Sequence, residues 1–115
     1  MNAFELARVY MARDMAEKEF FTYVMECIEK VLKEREYETE VYSTWDESED
    51  SCILVLKIEK KVFSISLNCR LIGELKAKDP YALDKFIWEK IEKKGFRLEK
   101  DHYLETVFKE ERAIS

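Results

Sequence analysis

A chain of 115 residues that is 47% hydrophobic, with seven Phe, six Tyr and two Trp, reads as folded, and two Gly and one Pro leave little room for long loops. Its 25 acidic and 20 basic side chains give a net charge of −5, which speaks against a uniformly basic nucleic-acid binder, and no apolar run approaches the roughly 20 residues that cross a bilayer. Three widely spaced cysteines make neither a disulfide framework nor a Cys-x-x-Cys knuckle, and the N-terminus lacks an apolar leader, so a cytoplasmic, reducing environment and one domain over 1–115 are expected.

Asn2 with Glu5 three residues on is a capping pair for a first helix, and nothing breaks that helix before about Arg35. The apolar stripe does not stay in place. It runs Phe4, Ala7, Met11, Met15 and then Phe21, Val24, Met25, Ile28, Val31, Leu32, rotated by roughly a third of a turn. Either the helix restarts near Arg13-Asp14 or one long helix buries its halves against different surfaces. We read a core helix over 14–35 preceded by a helical arm over 1–13 that is free to pack on another copy.

From Glu36 the pattern changes to period two. Glu36, Glu38 and Glu40 fall on one face and Tyr37, Thr39, Val41 and Trp45 on the other, as in a half-buried strand with an acidic outer face. Residues 46–50 contain no apolar side chain and read as a loop. Two further alternating arms follow in 52–71, with Cys52, Leu54, Leu56, Ile58 and then Phe63, Ile65, Leu67, Cys69 in phase, so a hairpin turning at Glu59-Lys60-Lys61 is expected. Residues 71–78, with Gly73, read as a connection. Asp79-Pro80 opens a helix over 80–94 that buries Leu83, Phe86, Ile87 and Ile91 and ends at Gly95 after Lys93 and Lys94. Phe96 and Leu98 begin a fourth strand. The segment 103–108 is either a fifth strand or a short helix capped by Asp101, and its β-favouring residues lead us to the strand. The end from Lys109 reads as frayed. The expected fold is therefore a single two-layer α+β domain of order α-β-β-β-α-β-β, with a mostly antiparallel sheet of four or five strands covered on one face by two main helices.

Candidate sites are few. The cysteines sit in or beside apolar stripes and read as small core residues. A lone His102 builds no metal site, and two glycines exclude a phosphate-binding loop. No catalytic residue, cofactor or metal ligand is assigned, and an enzyme is the least supported class. Charge is distributed unevenly. Residues 1–50 hold 14 acids and 6 bases, residues 51–115 hold 11 and 14, and 34–50 packs eight carboxylates against one Arg. The leading expectation is an interaction module that presents Glu36, Glu38, Glu40, Tyr42, Trp45, Asp46 and Glu47 to a basic protein partner, with Trp88 as a further contact. A regulator that mimics nucleic-acid charge is its concrete form. The alternatives are nucleic-acid binding through the basic residues of 57–100 and self-association through the N-terminal helix.

Overall fold

A computed structural model describes residues 3–109. The expected cap Asn2 and the expected frayed end 110–115 lie outside that range. The described chain is a compact α+β domain, with a radius of gyration of 13.9 Å against the roughly 13 Å typical of a chain this long. Its elements are α1 (Ala3–Asp14), α2 (Glu17–Glu34), β1 (Thr39–Asp46), β2 (Ser51–Ile58), β3 (Lys61–Asn68), α3 (Cys69–Lys78), α4 (Ala82–Lys93) and α5 (His102–Val107).

The helical N-terminus is two helices. The break falls at Met15-Ala16, where Ala16 is extended, two residues beyond the Asp14 of the expected restart. The rotated stripe is the cause: α2 buries Phe20, Phe21, Val24, Met25, Ile28 and Leu32, whereas α1 turns Arg8 and Ala12 inward instead of Ala7. The sheet has three antiparallel strands in the order β1-β2-β3. Cys52, Leu54, Leu56, Ile58, Phe63, Ile65 and Leu67 form its buried face, as the alternation requires. A two-residue turn, Glu59-Lys60, joins β2 to β3, and Glu59 takes a positive φ of 55° there.

Three expected features differ. Residues 69–78 are a helix, because the Asn68 side chain accepts the Leu71 N–H at 2.7 Å and caps it, and Ile72 is buried with Leu71 and Leu75 beside it. Gly73 is tolerated inside that helix where a Cβ would sit 3.4 Å from Glu17 Oε1. Residues 103–107 are the short helix, not the strand. Asp101 caps it by accepting the Leu104 N–H at 2.9 Å, and Leu104 and Val107, three apart, are both buried, which a strand would forbid. Phe96 and Leu98 are not a strand either. Phe96 packs edge-on to Tyr37 and Phe63, at 5.3 and 6.2 Å between ring centroids. In α4 the stripe is shifted as well: Asp84 and Trp88 are buried and Phe86 is only half-buried.

Tyr37 and Phe96 meet because α2 and α4 end in the same way. After α2, the Tyr37 N–H donates to Leu32 O and the Glu36 N–H to Lys33 O; after α4, the Phe96 N–H donates to Ile91 O and the Gly95 N–H to Glu92 O. Both are Schellman ends, which require a left-handed residue. Gly95 meets that need at φ 91°, whereas Glu36 takes φ 66° despite its Cβ. Glu36→Gly should therefore stabilise the protein by about 0.5–1 kcal/mol, and Gly95→Ala should cost about 1 kcal/mol, both read from urea denaturation midpoints.

Candidate functional site

The most unusual chemistry is buried. Arg8 on α1 and Asp84 on α4 are 4% and 0% exposed and form a two-pronged ion pair, Nη1 to Oδ1 at 2.7 Å and Nη2 to Oδ2 at 3.0 Å. Arg8 Nη1 also donates to Pro80 O at 3.1 Å, and the Tyr103 hydroxyl donates to Asp84 Oδ2 at 2.6 Å while accepting from Trp88 Nε1 at 3.2 Å. The guanidinium lies 4.5 Å from the Tyr81 ring centroid, 5.2 Å from Tyr23 and 5.8 Å from Phe20. Burial disfavours the Arg8 charge, but the Asp84 carboxylate more than offsets it, so its pKa is raised. Burial, and then the same carboxylate, hold the Tyr103 phenol protonated well above its usual range. No buried side-chain polar atom among the described residues lacks a hydrogen-bond partner. The network joins α1, α4 and α5, and Arg8 and Tyr103 also border a hollow of about 460 Å³ beside Tyr23 and Cys27.

Two of the three thiols are held in the protonated form. Cys69 opens α3, where a helix N-terminus would favour a thiolate, but burial and then Asp50 push its pKa up. Burial also raises Cys52. His102 is exposed at the start of α5, and no three His, Cys, Asp or Glu side chains converge as metal ligands among the described residues.

What the fold leaves bare is the outer face of the sheet. The strand registers arrange it in four rows: Glu40, Lys57, Val62; Tyr42, Val55, Ser64; Thr44, Ile53, Ser66; and Asp46, Ser51, Asn68. The two middle rows carry no charge in a chain that is 39% charged. Tyr42, Ile53 and Val62 are 57%, 51% and 59% exposed. Residues 52–56 of β2 are an unbroken apolar run, the pattern of a strand covered on both faces, yet none of the described residues covers the outer face.

The acidic residues of 34–50 are divided by this face and partly used up. Glu36 and Glu38 are exposed just before β1, and Glu38 lines a hollow of about 410 Å³ with Lys33, Glu40, Lys57 and Glu59. Glu40 pairs with Lys57 at 3.7 Å and accepts from the Tyr42 hydroxyl at 3.3 Å. At the other end Asp46 accepts the Ser48 hydroxyl at 2.6 Å and the Ser48 N–H at 3.0 Å, which hold its carboxyl below the usual range. Glu47 pairs with Lys18 at 3.0 Å and raises that lysine's pKa. Trp45 is half-buried, edge-on to Phe21 at 5.7 Å with the Lys18 ammonium 5.0 Å from its centroid. Trp88 drops out of the surface altogether, at 2% exposure inside the core. Of the basic half, the turn at Lys60-Lys61 lies beside the end of α4, with the Lys61 ammonium next to Gly95 and that of Lys94 6.0 Å from the Phe63 ring.

Ile53, Val55 and Val62 are the surface residues missed by sequence reasoning; for the first two the signal was the apolar run of β2. Arg8 and Asp84 were missed because charges are common in this chain; their positions beside Phe4 and Leu83 on apolar stripes were the available sign. No helix of the described residues is long and apolar enough to cross a membrane. The chain matches no family model, and neither a curated protein nor a solved structure shows detectable similarity to it.

Breaking the buried pair from one side leaves an uncompensated charge. Arg8→Met or Asp84→Asn should each cost about 3–5 kcal/mol in urea denaturation, and Arg8→Met with Asp84→Leu should lose less than the two singles combined. Strict additivity would refute the coupling. A second expectation concerns acid. Burial works to raise Asp101, but the Leu104 N–H and Arg35, 3.0 Å away, outweigh it and the carboxyl is held low, as is Asp46. Groups with lowered values stabilise fully above the ordinary carboxylate range and lose that contribution as pH falls through their own. Below about pH 4, the protection of the Leu104 and Ser48 amides, relative to their intrinsic exchange rates, should fall before that of the sheet, and Asp101→Ala should abolish this pH response at Leu104 alone.

Proposed function

We propose that this chain is a non-enzymatic protein-interaction module of the reducing cytosol, and that it docks a partner on the open face of its sheet. The observation that carries this reading is the apolar run of β2, whose outward Ile53 and Val55 lie at the centre of an uncharged strip that no part of the described chain covers. Carboxylates stand at both ends of the strip, Glu36, Glu38 and Glu40 at one and Asp46, Glu47, Glu49 and Asp50 at the other. An apolar centre within a charged rim is the usual anatomy of an interface, and the sign of the rim selects a partner with basic flanks. Occupying the basic groove of a nucleic-acid-binding protein, and so regulating it, is the form of this function that the acidic rim supports best. Direct nucleic-acid binding fits the face less well, because the same carboxylates repel phosphate. The basic residues gathered at Lys60, Lys61 and Lys94 are what would support it.

Immobilised protein should retain a basic protein from the source cells and release it at moderate salt. Ile53→Asp, at an exposed position that leaves the core intact, should weaken retention about tenfold or more; Glu36, Glu38 and Glu40 changed together to Gln should slow association severalfold. Equal retention by the Ile53→Asp protein would overturn the sheet-face reading. Recovery of nucleic acid alone, lost on changing Lys93, Lys94 and Arg97, would replace it with the basic-end reading.

A further inference from the structure

A second apolar surface lies away from the sheet. Leu6 and Tyr10 of α1 are 47% and 48% exposed, and four residues apart they form one ridge along the helix. The opposite side of α1 holds the body through Arg8 and Ala12. Next to the ridge, a groove of about 460 Å³ runs between Ala7 and Met11 of α1 and Tyr23 and Val31 of α2, bordered by Tyr81 and Tyr103. At 100° per residue, Leu6 and Tyr10 stand immediately beside Ala7 and Met11, so ridge and groove are neighbours on one helix.

A ridge beside a groove complements itself about a two-fold axis. We propose that two copies of the chain pair through α1 in antiparallel fashion, the Leu6–Tyr10 ridge of each seated in the α1–α2 groove of the other. Charge selects both the occupant and the direction. The groove runs along Ala7 to Met11 of α1 and Tyr23 to Glu34 of α2, and its rim carries exposed Lys30 and Glu34, a loose pair 4.0 Å apart. The last turn of α1 carries exposed Arg13 and Asp14, which pair with each other at 3.2 Å while Arg13 lies 4.7 Å from the Tyr10 ring, so pairing between copies exchanges solvent-exposed contacts for intermolecular ones. In the antiparallel arrangement Arg13 of one copy reaches Glu34 of the other and Asp14 reaches Lys30, and the axis repeats both pairs. A parallel arrangement would set Arg13 against Arg13 and align the helix dipoles unfavourably. The pairing goes beyond the sheet-face reading and leaves that face free, so a dimer presents two docking faces.

The test is sedimentation equilibrium of the full chain between about 1 and about 200 μM at low salt, a range that brackets an interface of modest area. The expected mass rises to twice 13.8 kDa. Leu6→Glu with Tyr10→Glu should give a monomer that keeps its helical circular dichroism, and Ile53→Asp should remain a dimer. Arg13→Glu and Glu34→Arg should each raise the dissociation constant about fivefold or more, and together should return it to within about twofold of the starting protein. A monomeric chain over the whole range overturns the proposal. So does a dimer indifferent to Leu6→Glu with Tyr10→Glu, a dimer that Ile53→Asp abolishes, or a charge exchange that fails to restore pairing. Loss of dimerisation with the sheet-face partner still retained would refute this inference alone.

Discussion

Arg8 and Asp84 form the contact on which the arrangement of the helices depends. Taking two charges out of water costs several kcal/mol each, and attraction recovers that only with good geometry and with every remaining donor and acceptor satisfied. Two parallel hydrogen bonds, the Pro80 carbonyl, the Tyr103 hydroxyl and three aromatic rings meet that condition. The need to meet it places three elements at once. α1 must bring Arg8 inward, α4 must turn Asp84 and Trp88 to the interior, and α5 must deliver Tyr103. With Ala12 the only fully buried apolar residue described on α1, this helix is held by a polar contact more than by apolar area. Polar contacts of this kind are directional, so they specify one docking geometry where a greasy helix could slide.

The sheet obeys a different constraint. Three strands bury one face under helices through the period-two alternation, and the other face has to meet water or a partner. Ser64, Ser66 and Thr44 suit water; Ile53, Val55, Val62 and Tyr42 suit contact. That mixture, in two uncharged rows with Val62 beside them, is why the interaction reading rests on the sheet and not on the acidic residues alone.

Those acidic residues show how little a charge count says about a surface. Asp46 spends its carboxylate on its own turn, Glu47 on Lys18 and Glu40 on Lys57, whereas Glu36 sits exposed at a left-handed helix end despite its Cβ. What reaches solvent is a divided rim around the apolar strip.

Local rules were enough to read much of this chain. The alternation of 52–58 and 61–68 is a statement about side-chain period and survives folding intact; the glycine end of α4 and the break in the helical N-terminus are likewise signalled within a few residues. Where local preference was weak, tertiary contacts decided. Residues 103–107 favour strands by composition, but Asp101 caps them and the bond from Tyr103 to Asp84 holds them as a helix. Residues 69–78 hid a helix behind a glycine whose missing side chain makes room for Glu17. The candidate surface divides in the same way. Glu36 to Glu47 could be found from pattern, and Trp88 was assigned to the surface because one helix viewed alone does not say which neighbours it will have. The burial of Arg8 with Asp84, 76 residues apart, is written in no local pattern, since each looks like an ordinary solvated charge until the fold brings the other to it.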